Sequence, residues 1–237
     1  SPKLSESSNN IYLNEKLFKR VKHVYDRKEE LHLSTEDVRL LEKTFEAFSI
    51  RGAALGPEDK EKYRKLSSEL SLLSLTFALK DKNRYELVLT KKDELEGLPE
   101  SIREAAALRA KEKGKNGWLF NLSAPSYVAF MRYSASRELR EKMYREYISI
   151  GNKGDEYDNK EIIRKIVNIR LEIGKLMGET NYASYKLKHT MAKTPARVYK
   201  LLNELLEAYK PVALSEYEAV QEFASATEKE DIIVMPW

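Results

Sequence analysis

The 237-residue chain contains no cysteine, which removes disulfides and thiolate metal sites and suits a reducing compartment. Histidine is nearly as scarce, with His23, His32 and His189 the complete set. None is followed by glutamate and none has a second histidine four residues on, so no helix presents two imidazoles side by side to a metal. No apolar run approaches the ~20 residues that cross a bilayer, and the N-terminus lacks the basic-then-apolar layout of a signal peptide. Gly151 with Gly154, and Gly174 with Gly178, fit no phosphate-cradling spacing, and no serine sits in a nucleophile elbow. A self-contained hydrolase, a nucleotide enzyme and a membrane protein therefore all lack support.

What is present is a chain long enough for a real core, with 42% apolar residues. Its 42 basic and 38 acidic residues leave a net charge of only +4, a densely mixed surface and not a cationic stripe. The clusters Lys19, Arg20, Lys22, Arg27, Lys28 and Lys111, Lys113, Lys115 read as solvated helix faces, so neither nucleic acid nor membrane is an expected partner.

The most informative stretch runs from Asp158 to Tyr199. Asp158 followed by Glu161 is a capping-box pattern, and Ile162, Ile166, Ile169, Ile173 and Leu176 then recur at helical spacing until Gly178 offers a stop. Asn181 caps a short helix carrying Tyr182, Tyr185 and Leu187, and Thr194-Pro195 opens a long one. That last helix carries Val198, Leu202, Leu205, Tyr209, Val212, Val220 and Phe223 near one face, and Pro211 should bend or end it.

Earlier in the chain, residues 1–14 have no period and read as an extended lead-in. Asn14 caps a helix whose Leu17, Val21, Val24 and Leu31 share a face. Ser34 caps another burying Val38, Leu41, Phe45 and Phe48, and Gly52 closes it. Gly56-Pro57 starts a third, with Tyr63, Leu66, Leu70, Leu73 and Phe77 as a packing seam. Tyr85 to Thr90 and Trp118 to Leu122 alternate with period two between breakers, which predicts two short paired strands. Helices from Pro99 to Gly114, from Ala124-Pro125, and from Ser136 complete the pattern. The fold class is mainly α: a multi-helix, bundle-like unit with one two-stranded ribbon (85–90 with 118–122), read as a single helical unit over 1–237.

As a string, DN…I…IVNIRLEIGKLMGETNYASYKLKHTMAKTP resembles the thimet oligopeptidase and peptidyl-dipeptidase (dipeptidyl carboxypeptidase) family of zinc metallopeptidases, and is most like its bacterial peptidyl-dipeptidases. The likeness continues at NLSAPSYVAFMRYSASRELREKMYREY, RLLEKTFEAFSIRGAAL and SPKLSESSNNIYLNEKLFKRV, covering almost the whole chain. The resemblance implies a parent enzyme in which zinc activates water, with short unstructured peptides as substrate and dipeptides released from C-termini. The family's H-E-x-x-H helix and further glutamate ligand have no counterpart in this sequence.

The chain therefore reads as an internal, non-catalytic segment, with no catalytic or metal residue and no zinc of its own. Its partner is the remainder of the parent chain, whose substrate channel it braces and walls. Tyr182, Tyr185 and His189 are the candidate channel-wall residues, although a surface or partner-satisfied histidine is the blander reading of His189. The cytoplasm is the compartment the composition favours, with the periplasm open if a signal precedes the segment. A stand-alone helical interaction module is the alternative function.

Overall fold

The computed structural model describes residues 2–79, 85–227 and 232–237. Among these the order is α1 (Pro2–Tyr12), α2 (Glu15–Asp26), α3 (Thr35–Ser49), α4 (Pro57–Leu79), β1 (Glu86–Leu89), a 3-10 turn (Asp93–Leu95) and α5 (Glu100–Glu112). There follow β2 (Trp118–Asn121), α6 (Ala124–Tyr133), α7 (Arg137–Ile148), α8 (Lys160–Leu176), α9 (Tyr182–Leu187) and α10 (Pro195–Thr227). The fold is mainly α with one small antiparallel ribbon. Contacts gather the chain into two compact units, Ser1–Leu79 with Glu161–Leu202, and Lys80–Lys160 with Asn203–Trp237. No linker in the sequence announces the division.

In the first unit the helix starts follow their caps. Asn14 Oδ1 accepts from the Leu17 amide at 3.0 Å and Ser34 Oγ from the Asp37 amide at 3.2 Å, satisfying donors that the first turn leaves orphaned. Leu13, Tyr63, Ile169, Ile173 and Tyr185 form one core cluster, with the α4 residues Leu66, Leu70 and Leu73 packed against it. Phe18, Phe48 and Ala53 form a second, closed by Phe45.

Two sequence expectations fail here. Residues 2–12 are helical, not extended. Serine and asparagine are weak helix formers, but this segment docks on α4, where the buried Asn9 Nδ2 donates to Ser67 Oγ at 2.9 Å and Arg64 to Asn10 Oδ1 at 2.7 Å. Tertiary contacts override the local propensity. On α2, which ends at Asp26 before reaching Leu31, Leu17 and Val24 remain 38% and 40% exposed while Phe18 is buried. The helix turns its aromatic residue inward because Phe45 and Phe48 offer stacked rings at 5.9 and 6.1 Å, a larger apolar contact than the aliphatic face would make.

The second unit is built on the ribbon. β1 and β2 pair antiparallel with Leu87 opposite Phe120 and Leu89 opposite Trp118. Leu87, Leu89, Phe120, Leu122, Phe130 and Met143 fill the core between the ribbon and its helices, with the Phe120 and Phe130 rings edge to face at 4.8 Å. Gly117, just before β2, has φ +95°, and a Cβ there would lie 2.1 Å from the Leu89 carbonyl oxygen. Only glycine admits the strand pairing at that point. Ser136 Oγ caps α7 from the Leu139 amide at 3.3 Å.

Residues 232–237 lie against this unit. Gln221 holds Ile232 O at 2.7 Å and the Val234 amide at 2.9 Å, and the Trp237 ring sits 5.4 Å from that of Tyr144.

Helix α10 does not end at Pro211 but runs through it to Thr227. The missing proline N–H removes one backbone bond, and the helix continues beyond that gap. The expected apolar face exists, but no residue of α10 is buried.

Phe130 is fully buried, and Phe130→Ala should cost about 3–5 kcal/mol from lost burial and the cavity left behind. Urea unfolding followed by tryptophan fluorescence checks this, since Trp118 packs against the same core. A loss below about 1 kcal/mol would mean the ribbon core is not packed as described.

Candidate functional site

The sequence marks Tyr182, Tyr185 and His189, and the structure places them on or just after α9. Helix α8 opens beside Asp158, whose Oδ1 accepts from the Lys160 amide at 2.8 Å. Glu161, three residues on, pairs with Arg164. Gly178 ends α8 at φ +79°. Asn181 then caps α9, its Oδ1 accepting from the Ser184 amide at 2.9 Å.

Tyr182 and Tyr185, three apart, stay together, with ring centroids 5.7 Å apart. Tyr185 is buried and its hydroxyl donates to the Ile50 carbonyl at the end of α3. His189 goes elsewhere: its Nδ1 meets Glu46 Oε1 on α3. The Glu46 carboxyl is held below its ordinary range, first by the hydrogen bond from Lys43 and then by His189, against the opposing effect of burial. Arg170 and Glu172, two apart on α8, take different partners. Arg170 lies 5.5 Å over the Tyr182 ring and Glu172 is 3.6 Å from Lys62.

Beside Tyr185 a cleft of about 200 Å³ opens between α1, α4 and α9, lined by Asn9, Arg51, Tyr63, Ser67, Tyr185 and Lys186 among others. Arg51 donates to the Ala47 carbonyl at 3.0 Å and lies 4.2 Å over the Tyr12 ring. The Lys186 ammonium stands 5.2 Å from the Tyr185 ring centroid and 5.7 Å from that of Tyr182. Lys186 is exposed as a residue, yet its charged end rests against two rings. Its pKa is pushed down by that desolvation and then by Arg51 and Arg170. Burial raises the phenols of Tyr63, Tyr182 and, most strongly, Tyr185.

Sequence reasoning missed Arg51 and Lys186, which are brought together only by packing. The α1 lining was also out of reach while that segment read as extended.

Neither remaining histidine joins this site. His23 is exposed, its Nε2 3.5 Å from Arg27 Nη1, and His32 is exposed at φ 46°. Among the described residues no three His, Asp or Glu side chains are grouped to hold a metal ion, so these residues do not fit a catalytic zinc. No helix of the described residues is long and apolar enough to cross a membrane.

Residues 130–237 match the family model for Peptidase family M3. The chain is 33% identical over 225 residues to the dipeptidyl carboxypeptidase of Escherichia coli K12, covering 93% of this chain and 33% of that protein. It is 31% identical over 245 residues to oligopeptidase A of Haemophilus influenzae, covering 100% of this chain and 36% of the relative. The chain belongs to peptidase family M3. An organellar oligopeptidase A of Arabidopsis thaliana is 37% identical over 202 residues, 81% of this chain and 25% of that one. The M3 chain thus spans about a third or less of the length of these curated relatives. Zinc is the metal of M3 peptidases in general. The match to the M3 family begins within α6 and takes in α7 to α10, and with them Tyr182, Tyr185 and His189.

The Tyr185 hydroxyl yields a pH prediction. A phenol whose folded pKa lies above its ordinary 10.0 is favoured by folding in its neutral form. Its contribution is therefore complete below about pH 10 and is lost as pH rises toward the folded value. Tyr185→Phe should cost about 1–2 kcal/mol near neutrality by orphaning the Ile50 carbonyl. It should also flatten the fall in urea midpoint between about pH 9 and about pH 11. An unchanged alkaline slope in the variant would show that Tyr185 is not held neutral by the fold.

Proposed function

We propose that this chain supplies non-catalytic helices to a zinc-dependent M3 peptidase that hydrolyses short peptides, in the manner of an oligopeptidase or peptidyl-dipeptidase. In this reading the chain braces and walls the substrate channel and contributes no metal ligand. Tyr182 and His189 reach the wall surface, and Tyr185 anchors it from behind. Its partners are the remainder of a parent chain and, through that parent, short unstructured peptides. The absence of cysteine favours a reducing cytoplasm.

The observation that carries the proposal is α10. It is a long helix with no buried residue, and Tyr199, Leu206, Tyr209, Val212, Leu214 and Phe223 are each more than half exposed along it. At roughly 25 cal/mol per Å² of apolar surface, leaving so many large apolar side chains in water is costly, and exposed apolar surface of this kind marks an interaction face. The relatives that match nearly all of this chain are about three times its length, so a parent of that size has polypeptide to cover it.

Two preparations test the reading. Purified and dialysed alone, the chain should hold no stoichiometric zinc and should not cleave a blocked peptide. Co-expressed with the H-E-x-x-H-bearing remainder of an M3 peptidase, it should enter a complex that holds zinc and loses cleavage to a chelator. About one tightly bound zinc per isolated chain, with chelator-sensitive cleavage, would overturn the proposal. A tight homodimer through α10, indifferent to the added polypeptide, would point instead to a stand-alone helical interaction module.

A further inference from the structure

We propose that the cleft between α1, α4 and α9 is an oxyanion site, taking one carboxylate or phosphate group between the Arg51 guanidinium and the Lys186 ammonium. Both side chains line the cleft, and Arg170, 5.5 Å over the Tyr182 ring, adds a third positive charge near Lys186. Among the described residues, the groups that perturb Lys186, Tyr63, Tyr182 and Tyr185 are these arginines and the phenols themselves, with no carboxylate among them. That departs from the rest of the unit, where Lys28 meets Glu42, Lys62 meets Glu172 and Lys188 meets Glu179. Arg51 has instead a backbone carbonyl and the face of Tyr12, and Lys186 has two ring faces. Cations gathered without a counter-charge, in surroundings partly shielded from water, repel one another and favour an entering anion.

The neutral lining has matching chemistry. Ser5 and Ser8 are three apart on α1 and both face the cleft, so two hydroxyls can donate to the same oxygen group. The Tyr63 hydroxyl lies deeper, beside Tyr185. Ser67 is already engaged, donating to the Arg64 carbonyl at 3.0 Å and accepting from Asn9, and serves as wall. Size narrows the ligand further. At about 200 Å³ the cleft falls below the roughly 300–1,000 Å³ of sites for drug-sized molecules. It has room for one oxyanion with a few waters at about 30 Å³ each. An oxyanion held there would tie α1 to α9, elements far apart in the sequence, and would do so whether or not the chain belongs to a working peptidase.

The test is thermal unfolding of the purified chain in sodium phosphate and in sodium acetate, each against sodium chloride at matched ionic strength. A saturable rise in Tm with phosphate alone identifies a phosphate site, and a rise with acetate as well identifies a carboxylate site, because a ligand bound only by the folded state stabilises it. Lys186→Gln and Arg51→Gln should each raise the half-saturating concentration by about tenfold or more, the loss of one charge-assisted contact. Lys186 is exposed as a residue, so Lys186→Gln should still fold in chloride, which separates a binding defect from a folding defect. Equal Tm in all three salts, or the same oxyanion response in Lys186→Gln, would overturn the proposal.

Discussion

Gly174 lies buried in α8 with the backbone of Asn181 and Tyr182 against it, and a Cβ at that position would come within 2.8 Å of the Asn181 carbonyl carbon and the Tyr182 nitrogen. Helices approach this closely only where one of them has no side chain. The approach folds α9 directly back on α8. That return carries Tyr185 into the core formed by Leu13, Tyr63, Ile169 and Ile173, and sets its hydroxyl on the Ile50 carbonyl. The same placement sets Lys186 beside Arg51 and sends His189 to Glu46. A larger residue at position 174 would displace all of these groups together.

The parts of the fold that were legible from the sequence are those decided within a turn or two of chain. Asn14, Ser34, Ser136 and Asn181 cap the helices they precede because the bond each makes is local. Thr194 does the same for α10, accepting from the Arg197 amide at 3.3 Å. The ribbon was legible because period-two alternation between breakers has few other uses. What was not legible depends on partners far off in the chain. Residues 2–12 become helical only against α4, and α2 turns Phe18 inward only because α3 presents Phe45 and Phe48. Of the candidate site, the Tyr182 and Tyr185 pair could be read from spacing, whereas the meeting of Arg51 with Lys186 could not, since 135 residues separate Tyr185 from the Ile50 carbonyl it holds.

Among the described residues no three His, Asp or Glu side chains are grouped to hold a metal ion, and the cleft beside Tyr185 is lined by cations, phenols and neutral polar groups. In the proposed reading the chain contributes shape and surface, and α10 supplies much of it, since no residue of that helix is buried. Helix α8, by contrast, has Ile166, Ile169 and Ile173 already buried within its own unit.

Amide hydrogen exchange compares these two helices directly. In the isolated monomer, the amides of α10 between Leu201 and Phe223 should exchange at least about tenfold faster than those of α8 between Ile166 and Ile173. Joined to the remainder of an M3 peptidase, α10 should become as protected as α8. Equal protection of both helices in the monomer, unchanged by the added polypeptide, would contradict the account of α10 as the face that meets the rest of the enzyme.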